Sequence, residues 1–542
     1  MLDYAFIKIL ALWVCILFLT CSHFLYVPLV PSTLRKFPGP RSFAVTKWRL
    51  AYADYTGKRT AIINTLHQRY GSAVRVGPNE ISFNSLSALR TIYGAGSGFE
   101  RTEFYRQFDN YGRQNMFTFK SAKMHGERKK IIAHPYSKSS VLASNGVAKR
   151  VIEGNVRAFL NLLGERREGK GGLALALDIF PILHWFSMDS ITGFVYGPNY
   201  GATRALHGDA ESRALLEDVF HPRRRLLSWF EVHLTRLNRW SYTRTGWTER
   251  VITALGLLPM TKPVAYTGIQ ERALNAWKRF EADADAGRLL ASEEGTIVQR
   301  LREYQLSGKG QQLDSLDCAS EAADHFLAGI DTTSDTLVFL IWQLSRPENI
   351  VRGYQKRLID EVDAISSLKN GLNQDGIPAV EITDQLPFLD AIIKETLRLH
   401  APLPGPEPRS CPFEDVVIDG YEVPAGTVVS IAPYTLHRNE SVFPDPGAFR
   451  PERWLGEMGG DVGEMKKWFW AFSSGGRMCI GLHLAMAEMN TLVAAIYREY
   501  ITCLQQRQHG VSPGITTRTE VNYDETFDKI SDHTCYIEFV KR

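Results

Sequence analysis

The stretch Phe472-Ser473-Ser474-Gly475-Gly476-Arg477-Met478-Cys479-Ile480-Gly481 constrains this chain more than any other, because it sets one thiol directly before a helix-periodic run. Leu482, Met486, Met489, Leu492 and Ile496 recur downstream at helical spacing. Free N–H groups and the macrodipole at a helix start favour a thiolate, which suits a metal ligand. Gly475 and Gly481 permit tight turns and close backbone approach to a flat ligand, Phe472 can pack beside the sulfur, and Arg477 offers a guanidinium fork to a carboxylate. These residues call for a flat dicarboxylate that carries a metal. The competing reading is a buried structural cysteine, the ordinary state of a lone thiol.

The spacing Phe-x-x-Gly-x-Arg-x-Cys-x-Gly resembles the signature of the cytochrome P450 superfamily, the haem-thiolate monooxygenases, at all five fixed positions. The resemblance implies haem b with Cys479 as its axial iron ligand, a thiolate whose electron donation favours O–O cleavage. It also implies a mainly α fold with small β-sheets, dioxygen as co-substrate, and a single catalytic domain.

Further elements extend the resemblance along the chain. The helical pattern from Ser315 to Leu344 contains Ala328-Gly329-Ile330-Asp331-Thr332-Thr333, in which Gly329 costs about 1 kcal/mol of helix stability and the threonines are poor helix formers. Such a segment suggests a local opening. It resembles the family's acid and alcohol pair, implying that Asp331 and Thr332 deliver protons for dioxygen activation. His125 and Lys129 stand where the family's Trp-x-x-x-Arg element holds a haem propionate, although Lys lacks the guanidinium fork. Arg409, after Pro402-Leu403-Pro404-Gly405-Pro406-Glu407-Pro408, aligns with a further propionate-binding arginine. Glu395 and Arg398 share a helix face, and Arg453 in Phe449-Arg450-Pro451-Glu452-Arg453-Trp454 matches the third member of a buried structural network. That network is expected to brace the Cys479 loop without touching substrate.

A predominantly apolar run from Ile9 to Val27 approaches the roughly 20 residues that cross a bilayer, and Arg35 and Lys36 follow it. With Asp3 in the flanking region and no small-residue cleavage site, it reads as a membrane anchor. The expected layout is an anchor over residues 1–30, a stiff proline-rich linker over 31–41 and the catalytic domain over 42–542. The family places such single-pass anchors in the endoplasmic reticulum membrane, with the catalytic domain cytosolic.

Net charge is +4 with dispersed cations, so no nucleic-acid footprint is visible. The seven cysteines are odd in number and scattered, which fits neither a disulfide framework nor a zinc site. Alternating residues predict a hairpin at Ala73–Val76 and Ile81–Phe83, short strands between Val416 and His437, and strands at Ile515–Val521 and Thr534–Val540. The region from 150 to 305 reads as mainly helical. No phosphate-binding glycine loop is present, so electrons from NADPH are expected through a membrane-bound flavoprotein reductase. The implied activity inserts one oxygen atom into an apolar small molecule, and the layout resembles fungal members that tailor terpenoids, polyketides or alkaloids. The alternatives are a haem-thiolate isomerase or dehydratase that needs no reductase, and a haem-binding sensor.

Overall fold

Long helices carry the body: α1 (Ala122–Ile132), α2 (Val147–Glu168), α3 (Ile179–Tyr196), α4 (Thr267–Asp285), α5 (Ser315–Ser345), α6 (Pro387–Leu399) and α7 (Leu482–Glu499). The computed structural model describes residues 12–17, 20, 32–168, 175–220, 224–256, 267–290, 294–308, 310, 312–517 and 520–542. The fold is mainly helical with small sheets, as the sequence predicts.

Local chemistry sets the helix ends. At the start of α5 the Asp314 carboxylate accepts the Asp317 N–H at 2.8 Å, and the Asp317 carboxylate accepts the Asp314 N–H at 3.1 Å, forming a capping box. The helix stops where Arg346 turns extended before Pro347. At the start of α6, Pro387 spends no N–H, and the next two N–H groups donate to the Glu361 carboxylate at 2.8 and 2.9 Å. Helix α3 is buried on nearly every side and packs along α5. Phe180, Leu183, Phe186 and Phe194 lie in the main core with Phe326, Ile330 and Phe339, each such side chain contributing roughly 1.5–3 kcal/mol by burial.

The main sheet contains β1 (Ala73–Gly77), β2 (Glu80–Phe83), β3 (Glu100–Arg101), β4 (Arg409–Ser410) and β5 (Val428–Ser430), in the order β1-β2-β5-β4-β3. The predicted hairpin is β1 with β2, in which Ala73 faces Phe83 and Arg75 faces Ile81. Near the carboxyl end, Val511–Thr517 pairs antiparallel with Glu520–Asn522 and parallel with Lys529–Asp532. Within the region read as helical, Leu175–Asp178 is a strand. It pairs with Tyr536–Lys541, which also pairs with Tyr500–Leu504, so a partner distant in sequence creates this strand.

The segment read as a stiff linker packs onto the body. Ser32–Lys36 forms a 3₁₀ turn, Leu34 and Phe37 are buried, and Phe37 stacks on Tyr421 at 4.7 Å. Arg75 N–H donates to Pro38 O at 2.9 Å. Two buried apolar side chains outweigh the stiffness that the prolines confer. Of the run Ile9–Val27, only 12–17 and 20 lie within the described residues. No helix among the described residues is long and apolar enough to cross a membrane. Arg223 also lies outside them, and the following Arg224–His233 helix is fixed by Trp229, whose indole N–H donates to Ala51 O at 2.7 Å.

Candidate active site and cofactor cradle

Gly481 occupies the N-cap position of α7, so Cys479 stands two residues outside the helix. The Cys479 N–H donates to Phe472 O at 2.9 Å, closing the loop, and its sulfur accepts from the Gly481 and Leu482 N–H groups. Gly475 adopts φ +63°, and a Cβ there would lie 2.1 Å from Tyr93 O. Only glycine satisfies both conditions. The N–H groups at the helix start favour the thiolate, as the sequence predicts. Desolvation by the protein around it pushes the thiol above its ordinary value, against the pull of the two N–H groups and the Lys129 ammonium, although the side chain itself is exposed. A bound cation is what makes such a sulfur anionic.

Glu395, Arg398 and Arg453 meet in the interior, all essentially inaccessible. Glu395 Oε1 accepts from Arg398 at 2.8 Å, from Arg453 at 3.0 Å and from the Arg450 N–H at 2.9 Å. Its Oε2 accepts from Arg398 at 2.9 Å and from the Trp454 indole at 3.0 Å. Burial raises this carboxyl, but Arg398 and Arg453 more than offset it and hold it below its ordinary value. Arg398 also donates to His437 O at 3.0 Å. His437 Nδ1–H in turn donates to Arg398 O at 3.2 Å, and Nε2 accepts the Trp470 N–H at 2.8 Å. The Trp470 indole then donates to Ser474 Oγ at 2.9 Å. A continuous polar path thus joins the ion cluster to the Cys479 loop. His437 and Trp470 carry it, and neither stands out in the sequence.

A second cluster is basic. Strand register sets Arg101 directly opposite Arg409, a placement that repels unless an anion lies between or beside them. Both are buried, Arg409 pairs with Glu407 at 3.1 Å and donates to the Tyr105 hydroxyl at 2.6 Å, and Arg101 Nε has no hydrogen-bond partner among the described residues. Arg477 is pushed down to about 9 by burial and then by Arg101 and Arg409. Burial, then Arg477, Arg101, Lys129 and Arg409, hold His125 neutral, with its pKa at about 3. Sequence reading selected His125, Arg409 and Arg477 but missed Arg101, whose one signal is its position at the edge of an aromatic-rich stretch. Lys129 departs from its family counterpart: its ammonium donates to Gly476 O at 3.2 Å and Met478 O at 3.3 Å, both in the Cys479 loop.

The α5 segment stays helical through Gly329, so the expected opening is not a break. A Cβ on Gly329 would lie 2.4 Å from Ile191 Cγ1, and the glycine therefore serves the close packing of α3 on α5. Gly329→Ala is expected to lower stability by about 1–3 kcal/mol, and adding Ile191→Ala should recover part of the loss. Thermal unfolding of the single and double variants reads this directly. Thr332 donates to Ala328 O at 2.8 Å, and Ser334 and Thr336 make the same back-bonds one turn behind. Asp331 and Thr332 are half-buried, and Ala328, one turn before Thr332, is exposed. Thr333 donates to Glu488 on α7, a carboxyl that burial pushes up to about 8, and this contact sets the register of α5 against the Cys479 helix. Tyr136, bonded to His325 at 2.9 Å, lies within electrostatic reach of Cys479, Asp324 and Glu488.

The donor set fits haem: one exposed thiol on a glycine-rich loop, and a buried group of guanidiniums with a neutral imidazole, in which Arg101 Nε has no hydrogen-bond partner among the described residues. A family model described as Cytochrome P450 matches residues 278–514. The chain is 29% identical over 480 residues to Cytochrome P450 monooxygenase aflV of Aspergillus parasiticus, covering 86% of this chain and 84% of that protein. It is 29% identical over 478 residues to Cytochrome P450 monooxygenase stcB of Emericella nidulans, covering 87% and 82%. Benzoate 4-monooxygenase bphA of Aspergillus niger is 26% identical over 509 residues, covering 89% of this chain and 90% of that protein. The loop that presents Cys479, the mainly helical fold and these likenesses agree, and the chain belongs to the cytochrome P450 superfamily of haem-thiolate monooxygenases.

Proposed function

We propose that this enzyme inserts one oxygen atom from dioxygen into an apolar small molecule of fungal secondary metabolism, a terpenoid, polyketide or alkaloid. The observation that supports this reading is the setting of the exposed Cys479 thiol, on its glycine-bound loop, next to Lys129 and Arg477, the latter within electrostatic reach of the facing buried pair Arg101 and Arg409. Haem b, when bound, supplies the redox chemistry that activates dioxygen. Cys479 would ligate the iron, while Arg101, His125, Arg409 and Arg477 would hold the propionates. Gly475 lets the loop pass against Tyr93 O, Gly481 caps α7 beside the sulfur, and Phe472 fixes the loop through its carbonyl. Glu395, Arg398 and Arg453 act from outside the site by holding that loop. NADPH electrons would arrive through a membrane-bound flavoprotein reductase, and the apolar amino-terminal run would anchor the chain in the endoplasmic reticulum membrane with residues 42–542 cytosolic.

Thr332 supports the dioxygen-activating reading over an isomerase, a dehydratase or a sensor. Its hydroxyl hydrogen is directed to Ala328 O, so its oxygen is left to accept from a water and orient it, with the Asp331 carboxyl adjacent in sequence. Thr332→Ala should lower product formed per NADPH by about tenfold and divert the electrons to hydrogen peroxide. Thr332→Ser should keep most of the coupling. Product, NADPH and peroxide are measured together at equal haem content. Unchanged coupling in Thr332→Ala would overturn the proton role.

A further inference from the structure

Lys129 lies on α1 four residues after His125, yet the two side chains serve different neighbours. His125 is buried within electrostatic reach of Arg477, Arg101 and Arg409, whereas the Lys129 ammonium sits between the carbonyl oxygens of Gly476 and Met478 and within electrostatic reach of the Cys479 sulfur. The return contact is made by Arg477, the residue between those two carbonyls in sequence, whose fork donates to Phe119 O at 2.9 Å and Lys120 O at 2.8 Å just ahead of α1. The Cys479 loop is thereby stitched to the α1 region in both directions. Two converging carbonyls suit a compact ammonium with tetrahedrally disposed donors. Four other groups, Arg101, His125, Arg409 and Arg477, already surround the place where anions are needed.

We propose that Lys129 is a positioning residue for Cys479, pinning the loop from outside through the Gly476 and Met478 carbonyls and holding its ammonium within electrostatic reach of the sulfur. The proposal rests on Cys479 being the axial ligand. A fixed cation there stabilises sulfur charge and draws it away from the metal, so the haem potential is more positive than it is without Lys129.

The test uses the full-length holoprotein as wild type, Lys129→Met and Lys129→Arg. The reduced carbon monoxide spectrum distinguishes thiolate from neutral-thiol ligation, and it is followed over time with the haem potential and the rate of haem loss to a competing apoglobin. Lys129→Met should convert from the thiolate to the thiol form about tenfold faster, the worth of one charge-assisted hydrogen bond. Its potential should fall while its haem loss stays as in wild type. Lys129→Arg, which keeps the cation, should hold the potential near wild type. Faster haem loss from Lys129→Met with an unchanged spectrum and potential would make Lys129 a propionate partner and overturn the proposal. No change in any readout would make it a solvated surface lysine, with the same result. A wild-type protein that lacks the thiolate band would remove the ligand assignment itself, which the variants do not address.

Discussion

Cys479→Ser is expected to abolish the thiolate carbon monoxide band and all substrate oxidation, leaving a protein that folds and retains part of its haem through the basic group. Serine preserves the hydrogen bonds that the sulfur accepts from Gly481 and Leu482 and fits the volume of the site, so the loop has no reason to collapse. What it removes is the soft, anionic donor. The other described cysteines do not substitute: Cys15 lies in the amino-terminal segment 12–17, Cys318 is buried near the start of α5, Cys411 faces Val423 O, and Cys503 and Cys535 belong to carboxyl-terminal strands or their turns. Spectra of the reduced carbon monoxide complex and haem content per protein check this. A surviving thiolate band would place the ligand elsewhere.

Glu395→Ala is expected to cost roughly 3–5 kcal/mol, because it strands Arg398 and Arg453 in an interior that offers no water. The loss should appear as reduced yield of haem-loaded protein as well as a lower unfolding midpoint, since the path through His437 and Trp470 ends on Ser474 in the Cys479 loop. Glu395→Gln keeps the volume and part of the hydrogen bonding, so it should fall between Ala and wild type. The Glu395 carboxyl is depressed in the folded state, so its contribution is fully present above the ordinary carboxylate value and is lost as pH falls through the folded value. Acid sensitivity that is attenuated in Glu395→Gln would report this group. A midpoint and haem content equal to wild type in Glu395→Ala would refute the bracing role.

The parts that were legible from sequence are those that local chemistry or a short motif determines. The caps of α5, the proline start of α6 and the β1–β2 hairpin follow from residues within a few positions of one another, and the glycines of the Cys479 loop from a short motif. The cost of Gly329 was legible but its cause was not, because the side chain it accommodates, Ile191, belongs to another helix. Arg101 escaped notice for the same reason: its meaning comes from Arg409, opposite it across a strand pair whose register no local pattern reveals. The buried pair Arg128 and Glu321, at 2.7 Å, is another case. It lies among the residues read for His125 and Lys129, yet only the approach of α5 to α1 shows that Arg128 turns inward. Lys129 was correctly selected as unusual, and the structure gives it different partners from those its position suggested.

The strand Tyr536–Lys541 lies between Leu175–Asp178 and Tyr500–Leu504 and hydrogen-bonds to both, so these two have no ladder until it arrives. On the ribosome this central strand emerges after every helix of the body, and until then the strand leading into α3 and the one leaving α7 present unpaired edges. The helix that carries the Cys479 loop is therefore secured at its far end only after its synthesis is long complete. Completion of this three-stranded sheet follows the synthesis of α7, and the two outer strands share one dependence on Tyr536–Lys541 for their pairing.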